Sequence, residues 1–272
     1  MMYTLIALDI DGTLLDKNKA VSAKTKSVIN AVSNAVPVVL ISSRMPKAMR
    51  YLQKTLNILD LPLVAFNGGL VIHQNEILSH TGIDFPTFKT VLEQNEDLDL
   101  HLSLFHNDEW YAPQDDFWSQ REIKNTKVKP VFKSNVQVYN DWKVYNKEPH
   151  KIMCMGEKPK VDELFKRLSK IESDTLHLYR SKPTYIEMAP RQISKLFGLE
   201  VLLQKIYPKL KLGDIVAYGD NYNDIEMLQN VGLGVAVDNA KVEVKAVADD
   251  MTKSNIEDGV ALHLQKIFDV KL

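Results

Sequence analysis

Short apolar segments alternate with amphipathic stretches in the first third of the chain, and this alternation restricts the fold more than any other feature. Apolar runs at Leu5–Asp9, Val36–Ile41 and Leu63–Phe66 are separated by stretches of helical periodicity at Ser22–Ser33 and Pro46–Asn57. Strand–helix–strand order of this kind favours a parallel sheet with right-handed crossovers. The pattern therefore predicts an α/β fold built on a doubly wound, Rossmann-like parallel sheet.

The middle third of the chain interrupts this pattern. It holds all three tryptophans, and its predicted strands, among them Leu98–Phe105 and Asp174–Tyr179, alternate polar and apolar residues as antiparallel strands do. The strand–helix alternation returns towards the C-terminus. We therefore expect a discontinuous core, residues 1–83 plus 186–272, into which an α+β unit of residues 84–185 is inserted.

Composition excludes several classes of protein. A formal net charge of -1 gives no field that would attract nucleic acid or an anionic membrane. The first apolar run ends at Asp9, which is too soon for a signal peptide or a membrane span. The single cysteine, Cys154, excludes an internal disulfide. We expect a cytoplasmic protein, a monomer or small homo-oligomer, without nucleic-acid or membrane partners.

Polar residues follow each predicted core strand at its carboxyl end. In an open parallel sheet, ligands bind at this edge, near the point where the strand order reverses. One such group would be an ordinary loop, but four groups in one sheet indicate a binding site. In chain order these residues are Asp9 and Asp11; Ser42, Ser43 and Arg44; Asn67 and Gly68; and Gly219, Asp220, Asn223 and Asp224.

The first of these groups indicates a metal ion. Asp9 and Asp11 are separated by one residue and followed by a turn at Gly12, so their carboxylates would lie close together. Two like charges at that distance are costly unless a cation lies between them. Carboxylates and a backbone carbonyl form the hard oxygen site that Mg²⁺ prefers, whereas zinc is disfavoured because no cysteine or histidine stands at ligand spacing.

Four segments carry a resemblance to a known family. They read Asp9-Ile10-Asp11-Gly12-Thr13, Ile41-Ser42-Ser43-Arg44, Met188-Ala189-Pro190-Arg191-Gln192-Ile193-Ser194-Lys195 and Gly219-Asp220-Asn221-Tyr222-Asn223-Asp224. In this order they resemble the four motifs of the haloacid dehalogenase-like hydrolases, specifically the Cof-type phosphatases with a large α/β cap. The resemblance covers the whole chain. It implies an Mg²⁺-dependent phosphatase that hydrolyses small phosphomonoesters, such as sugar phosphates or related phosphorylated metabolites and cofactors.

The resemblance also implies catalytic roles. Asp9 would attack phosphorus and form an aspartyl-phosphate, and Asp11 would act as the acid and base. Mg²⁺ would be bound by Asp9, the backbone carbonyl of Asp11, and Asp220. Phosphate would be bound by Ser42, Ser43, Lys195 and Asn223. The supporting positions would be Gly12, Arg44, Asn67, Gly68 and Asp224, the last of which would orient Lys195 or the waters on the metal.

Two features depart from the family pattern or extend beyond its motifs. The second motif often reads Thr-Gly-Arg, so Ser43 is expected to adopt the backbone geometry that a glycine would have had. The inserted unit would act as a cap that closes over the site and contacts the substrate. Its candidate substrate contacts are Trp110, Tyr111, Trp118, Arg121, Lys124, Arg180 and Lys182.

Two other functions are compatible with the same motifs. A phosphomutase of hexose phosphates would use the same aspartyl-phosphate but return the phosphoryl group to the substrate. A catalytically weak, phosphometabolite-binding regulatory protein would keep the pocket, although such a module would be expected to have lost Asp9, Asp11 or Lys195. A translocating ATPase with this chemistry is disfavoured because the sequence contains no membrane span.

Overall fold

The computed structural model describes residues 3–170 and 175–270, apart from the side chain of Ser181. The strands are β1 Leu5–Asp9, β2 Val38–Ile41, β3 Leu63–Ala65, β4 Leu70–His73, β5 Glu76–His80, β6 His101–His106, β7 Glu109–Ala112, β8 Val131–Phe132, β9 Lys151–Met155, β10 Leu176–Lys182, β11 Tyr185–Pro190, β12 Ile215–Gly219, β13 Leu233–Val237 and β14 Asp250–Thr252. The α-helices are α1 Ala23–Ser33, α2 Pro46–Thr55, α3 Phe85–Asn95, α4 Phe117–Thr126, α5 Asn135–Val144, α6 Lys158–Lys170, α7 Lys195–Lys205, α8 Ile225–Asn230, α9 Val242–Val247 and α10 Gly259–Phe268. Short 3₁₀ turns lie at Phe66–Gly68, Leu212–Asp214, Tyr222–Asp224 and Asn255–Glu257.

The chain divides into two units. The first comprises Met1–His80 and Ser194–Leu272, and the second comprises Thr81–Ile193. The first is therefore discontinuous in sequence. Within the part of the chain that the structure describes, no helix combines the length and the apolar character that crossing a membrane requires.

The first unit is built on one sheet with the order β14-β13-β12-β1-β2-β3-β4-β5. Strands from β14 to β3 are parallel, and β4 and β5 extend the sheet as an antiparallel hairpin. β1, β2, β3 and β12 are buried along their whole length, as strands covered by helices on both faces should be. The strand order reverses at β1, because β2 lies on one side of it and β12 on the other.

Helix starts in this unit follow from local capping. Ser22 precedes α1 and its side chain accepts a hydrogen bond from the backbone N–H of Thr25, as a Ser N-cap does. Ser194 caps α7 in the same way, through the backbone N–H of Phe197. Because α7 begins at Lys195, this cap determines where the lysine enters the fold.

The second unit is built on a sheet with the order β10-β11-β9-β6-β7-β8, which is antiparallel except for the β7–β8 pair. α3, α5 and α6 bury an apolar core against one face of this sheet, and Leu102, Leu104 and Ile152 lie in that core. Cys154 lies there too, and burial raises the pKa of its thiol to about 12. A thiol in this environment is inert.

The structure divides the chain at slightly different residues from those expected from the sequence. The expected core resumed at residue 186, but β11 pairs with both β9 and β10, so residues up to Ile193 belong to the second unit. The expected strand Asp174–Tyr179 corresponds to β10, although Asp174 lies outside the described residues. β14 and α9 have no counterpart among the elements expected from the sequence, because each is short and weakly patterned.

Candidate active site

Four neighbouring parallel strands bring their polar ends to one edge of the first sheet. Asp9 is the last residue of β1, and Ser42 and Asp220 directly follow β2 and β12. Asn67 lies in the turn after β3. Since β12, β1, β2 and β3 are adjacent and parallel, these ends meet beside the point where the strand order reverses.

A buried lysine joins two of these strand ends. Lys195 Nζ donates to Asp9 Oδ1 at 2.6 Å and to Asp224 Oδ1 at 2.5 Å. The lysine is 1% exposed and Asp224 is 0% exposed. Burial alone would lower the pKa of Lys195, but the charges of Asp224 and Asp9 raise it above its usual value. The ammonium therefore stays protonated and supplies one fixed positive charge.

The second oxygen of Asp224 holds the loop after β12. Asp224 Oδ2 accepts the backbone N–H groups of Asp220 and Asn221, each at 3.0 Å. A Cβ at Gly219 would come within 2.5 Å of Asp224, so only glycine fits there. Asp224 thus positions both Lys195 and Asp220, because each of its two carboxylate oxygens accepts hydrogen bonds.

Three aspartates, Asp9, Asp220 and Asp224, each contribute one carboxylate oxygen to a cluster. These three oxygens all lie within 4.8 Å of one another. Asp9 Oδ2 is buried and accepts no hydrogen bond from any residue in the described part of the chain. Burial, together with the charges of Asp224 and Asp220, raises the pKa of Asp9 well above its ordinary value, although Lys195 acts against this. Burial and the charge of Asp224 raise the pKa of Asp220 to about 6.

These properties fit a divalent cation. Asp9 has a buried carboxylate oxygen that accepts no hydrogen bond, and the pKa of the neighbouring Asp220 is raised. Both observations indicate that this part of the site needs a positive charge to balance the two carboxylates. Gly12, with φ +91°, allows Asp220 to come this close to the end of β1, because a Cβ there would lie 2.3 Å from Asp220 Oδ2. Hard oxygen ligands of this kind suit Mg²⁺.

Asp11 has different partners. Its carboxylate accepts two bonds from Arg44, Nε to Oδ2 at 2.6 Å and Nη2 to Oδ1 at 2.8 Å, and a third from Lys19 Nζ to Oδ1 at 2.8 Å. Burial raises the pKa of Asp11, but the hydrogen bonds and charges of Arg44 and Lys19 outweigh it and lower the pKa to about 2. In this state the carboxyl is ionised, which is the form of a general base.

The turn after β3 ties the remaining strand ends together. Phe66 and Asn67 have φ of 50° and 55°, and Gly68 has φ of 99°. Two successive non-glycine residues in the left-handed region are unusual and store strain. The backbone N–H of Asn67 donates to Ser42 O at 2.9 Å, and Asn67 Oδ1 accepts from Asn223 Nδ2 at 3.0 Å.

Gly68 allows a close approach to the start of α7. A Cβ at Gly68 would lie 2.2 Å from the carbonyl oxygen of Ser194, the cap residue that precedes Lys195. Ser42 Oγ accepts the backbone N–H of Arg44 at 3.2 Å. Ser43 is half-buried and is not among the described residues with positive φ, so the serine does not need the left-handed geometry that glycine favours.

Every site residue that the motifs indicated belongs to the first unit, and contacts link most of them. Sequence reasoning missed four contributors. Thr13 Oγ1 donates to Asp220 at 3.4 Å, Tyr51 accepts from Arg44 at 3.4 Å, Asn239 donates to the Gly12 carbonyl at 2.7 Å, and Lys19 contacts Asp11. Thr13 stood inside the first motif and could have been found. The others follow only from the tertiary fold.

The candidate substrate contacts of the inserted unit have various surroundings. Trp110 is buried and stacks on Phe105 with ring centroids 5.5 Å apart. The Arg180 guanidinium pairs with Asp162 and donates to the Pro183 carbonyl. The Arg121 guanidinium lies 5.7 Å from the ring centroid of Trp118. None of these contacts identifies a substrate.

Comparison with known proteins places these motifs in a family. The family model for haloacid dehalogenase-like hydrolases matches residues 6–264. A Haemophilus influenzae protein provisionally named a phosphatase is 34% identical over 273 residues, which cover 98% of this chain and 99% of that protein. The 5-amino-6-(5-phospho-D-ribitylamino)uracil phosphatase YitU of Bacillus subtilis is 29% identical over 274 residues, with 97% of each chain covered.

A solved structure agrees with the fold. The crystal structure of a haloacid dehalogenase-like hydrolase from Bacteroides thetaiotaomicron superposes with a TM-score of 0.88 at 27% identity. The match covers 98% of this chain and 100% of that one. The sequence comparison and the structural comparison therefore indicate the same family over nearly the whole length of the chain.

Proposed function

Because the chain belongs to the haloacid dehalogenase-like hydrolase family and is an enzyme of its phosphatase type, we propose that it hydrolyses small phosphomonoesters through an aspartyl-phosphate on Asp9. The observation that carries this proposal is the arrangement at the end of β1. Asp9 has one oxygen bound to Lys195 and the other buried without a donor, beside Asp220. A fixed ammonium and a buried carboxylate oxygen without a hydrogen-bond donor are suited to binding a phosphoryl group and a metal ion.

In the first half-reaction, a carboxylate oxygen of Asp9 attacks phosphorus and the bond from phosphorus to the ester oxygen breaks. The leaving oxygen takes a proton from Asp11 and departs as an alcohol. Asp11 is ionised in the structure, with a pKa of about 2, and so must gain a proton first. The negative charge of a bound phosphate would raise that pKa and favour protonation.

In the second half-reaction, water attacks the phosphorus of the aspartyl-phosphate, and Asp11 accepts a proton from that water. The bond between phosphorus and Asp9 breaks, which releases inorganic phosphate and restores the carboxylate. Lys195, Ser42, Ser43 and Asn223 would hold the phosphoryl oxygens, over which charge spreads in the transition state.

Mg²⁺ would be held by Asp9, Asp220 and the backbone carbonyl of Asp11. When bound, it would offset the repulsion between the nucleophilic carboxylate and the phosphate. The donor set supports this assignment, because Asp224 already has both oxygens occupied whereas Asp9 has one that is not.

The substrate class that we propose is a phosphorylated sugar, polyol or related metabolite. The name of the YitU relative describes a substrate with the phosphate on a ribityl chain, a polyol of this kind. The second unit, 113 residues from Thr81 to Ile193, would act as the cap that selects the leaving group.

A panel of phosphomonoesters tests the proposal. We expect phosphate release from sugar and polyol phosphates in Mg²⁺, loss of release in EDTA, and recovery when Mg²⁺ is restored. Isomerisation of a hexose phosphate without phosphate release would indicate a phosphomutase. Binding of phosphate esters without turnover of any of them would indicate a regulatory protein. Either result would overturn the proposed function.

A further inference from the structure

The loop that follows the first motif is folded around one carboxylate. Asp16 Oδ1 accepts the backbone N–H groups of Asn18 at 2.8 Å and Ala20 at 2.9 Å. The backbone closes the same loop twice, from Lys19 N to Asp16 O and from Asp16 N to Ala20 O, both at 3.0 Å. Lys19 itself has φ of 59°, which a lysine rarely adopts. The hydrogen bonds and the backbone conformation of this loop therefore determine where Lys19 lies.

This loop directs Lys19 at one oxygen of Asp11. Lys19 Nζ and Arg44 Nη2 both donate to Asp11 Oδ1 at 2.8 Å, whereas Asp11 Oδ2 accepts only from Arg44 Nε among the described residues. A carboxylate oxygen has two acceptor positions. Both positions on Oδ1 are filled, and one on Oδ2 stays open.

We propose that Lys19 is a positioning residue for Asp11: by completing the hydrogen bonds of Oδ1, it leaves Oδ2 as the atom that exchanges a proton with the leaving group. This inference rests on the proposed function. Arg44 alone fixes the plane of the carboxylate but leaves an open position on each oxygen. Lys19 removes that ambiguity, and a proton donor that is displaced by even 1 Å loses much of its effect.

A simple role in stability does not explain the contact. The Lys19 side chain is 38% exposed, and a salt bridge at that exposure contributes little to folding. Asp11 already has a two-bond partner in Arg44, so the second cation adds little pairing energy. The strained backbone at Lys19 instead matches the pattern in which strain accumulates at functional sites.

Leaving-group dependence separates a positioning role from other effects. p-Nitrophenyl phosphate releases a phenolate that needs no proton, whereas a sugar phosphate releases an alkoxide that does. We expect Lys19→Ala to lower kcat/KM for the sugar phosphate by about 10- to 100-fold and for p-nitrophenyl phosphate by less than about threefold. Lys19→Arg, which keeps a cationic donor, should recover most of the loss.

Two further variants serve as controls. Lys17→Ala removes an exposed lysine of the same loop and should leave both kcat/KM values unchanged, which excludes a general effect of net charge. Asp16→Ala keeps Lys19 but removes the acceptor that folds the loop, so it should reproduce the selective loss in weaker form. The midpoint of thermal unfolding of each variant shows whether the protein is folded.

The outcomes are distinct. Equal losses for both esters in folded Lys19→Ala, or no loss for either, would overturn the positioning role while hydrolysis by the wild type upholds the proposed function. Failure of the wild type to hydrolyse either ester would overturn the proposed function and this inference with it.

Discussion

The two units each contain a hydrogen-bonded cluster of the residue types that hydrolases use, but only one of these clusters is proposed as the active site. In the first unit, Lys195 links Asp9 and Asp224 at the ends of parallel strands. In the second, His101 Nδ1 lies 2.8 Å from Asp116 and His101 Nε2 lies 2.9 Å from Ser103 Oγ, which is the order of a serine hydrolase triad.

The difference lies in what each cluster leaves available. Ser103 is 0% exposed, and both ring nitrogens of His101 have partners. Asp116 also caps α4 through the backbone N–H groups of Trp118 and Ser119. That cluster is closed, and it joins β6 to the start of α4. The Asp9 cluster keeps a buried oxygen without a donor. A carboxylate oxygen without a hydrogen-bond donor, rather than residue type, distinguishes the two clusters.

The largest expected effect is on hydrolysis. Asp9→Asn removes the proposed nucleophile, so kcat should fall by at least about 10⁴-fold. Ser103→Ala should change kcat by less than about threefold, because Ser103 serves only the packing of the second unit. Phosphate release from a sugar phosphate measures both. Near-normal turnover by folded Asp9→Asn would remove Asp9 as nucleophile, and a large loss in Ser103→Ala would remove the distinction between the clusters.

The sequence predicted that the residues of the Asp9 cluster would lie at one edge of the sheet, and the reason is physical. Asp9, Ser42, Asn67 and Asp220 follow strands whose buried, uninterrupted apolar runs are easy to recognise, and parallel strands bring their carboxyl ends to one edge. No comparable rule places His101 beside Asp116, because that contact spans an irregular connection. The contact between Lys19 and Asp11 was missed for the same reason, since a turn with a left-handed lysine has no sequence signature.

The boundaries of the elements likewise could be predicted where a local pattern determines them, but not where long-range contacts do. β1 was expected at Leu5–Asp9, and the structure places it at the same residues, since a short apolar run that ends at a turn has little freedom. The end of the inserted unit was expected eight residues too early, after residue 185 rather than Ile193. The partners of β11 decide that boundary, and strand pairing between distant segments cannot be read from local pattern.

The second prediction concerns stability. Lys195→Met removes the cation between Asp9 and Asp224 and leaves two buried carboxylates facing each other, so the free energy of unfolding should fall by about 3 kcal/mol or more. His101→Gln loses the ring contacts to Asp116 and Ser103, but it leaves no pair of buried like charges facing each other, so it should cost less, about 1 to 2 kcal/mol. Urea unfolding in EDTA measures both. Equal losses of unfolding free energy in the two variants would show that the Lys195 cluster contributes no more to stability than the His101 cluster, despite their different charges.

The third prediction concerns substrate affinity. Asn67→Gly keeps the positive φ but removes the acceptor for Asn223, so the Asn223 amide loses its orientation and KM should rise about five- to tenfold. The double variant with Asn223→Ala should be little worse than Asn223→Ala alone, because the two side chains act as one unit. Asn57→Gly is the matched control, since Asn57 also has a left-handed backbone, with φ of 58°, but contributes nothing to the site. Additive effects of the two substitutions on KM would show that Asn67 acts independently of Asn223.

The smallest effect is on pH dependence, and it should have opposite sign in the two clusters. Burial and Asp224 raise the pKa of Asp220 from 3.8 to about 6, so the resulting stability is present below pH 3.8 and is lost as pH rises through about 6. Asp220→Asn removes this dependence, so its stability relative to the wild type should rise by about 1.3 kcal/mol between pH 5 and pH 7 in EDTA. Adding Mg²⁺ should reverse this gain, because the proposed metal site would bind the cation through the ionised carboxylate.

His101 should respond in the other direction. Burial lowers its pKa below 6.5, although Asp116 acts against this, so the unfolded chain takes up a proton that the folded protein does not. Wild-type stability should then fall as pH drops below about 6.5, and the fall should be shallower in His101→Gln. His177 and His263, whose pKa values burial also lowers, stay in both proteins and cancel in the difference. Parallel slopes for wild type and variant would mean that His101 takes up its proton as readily in the folded protein as in the unfolded chain, and the second cluster would then not be closed.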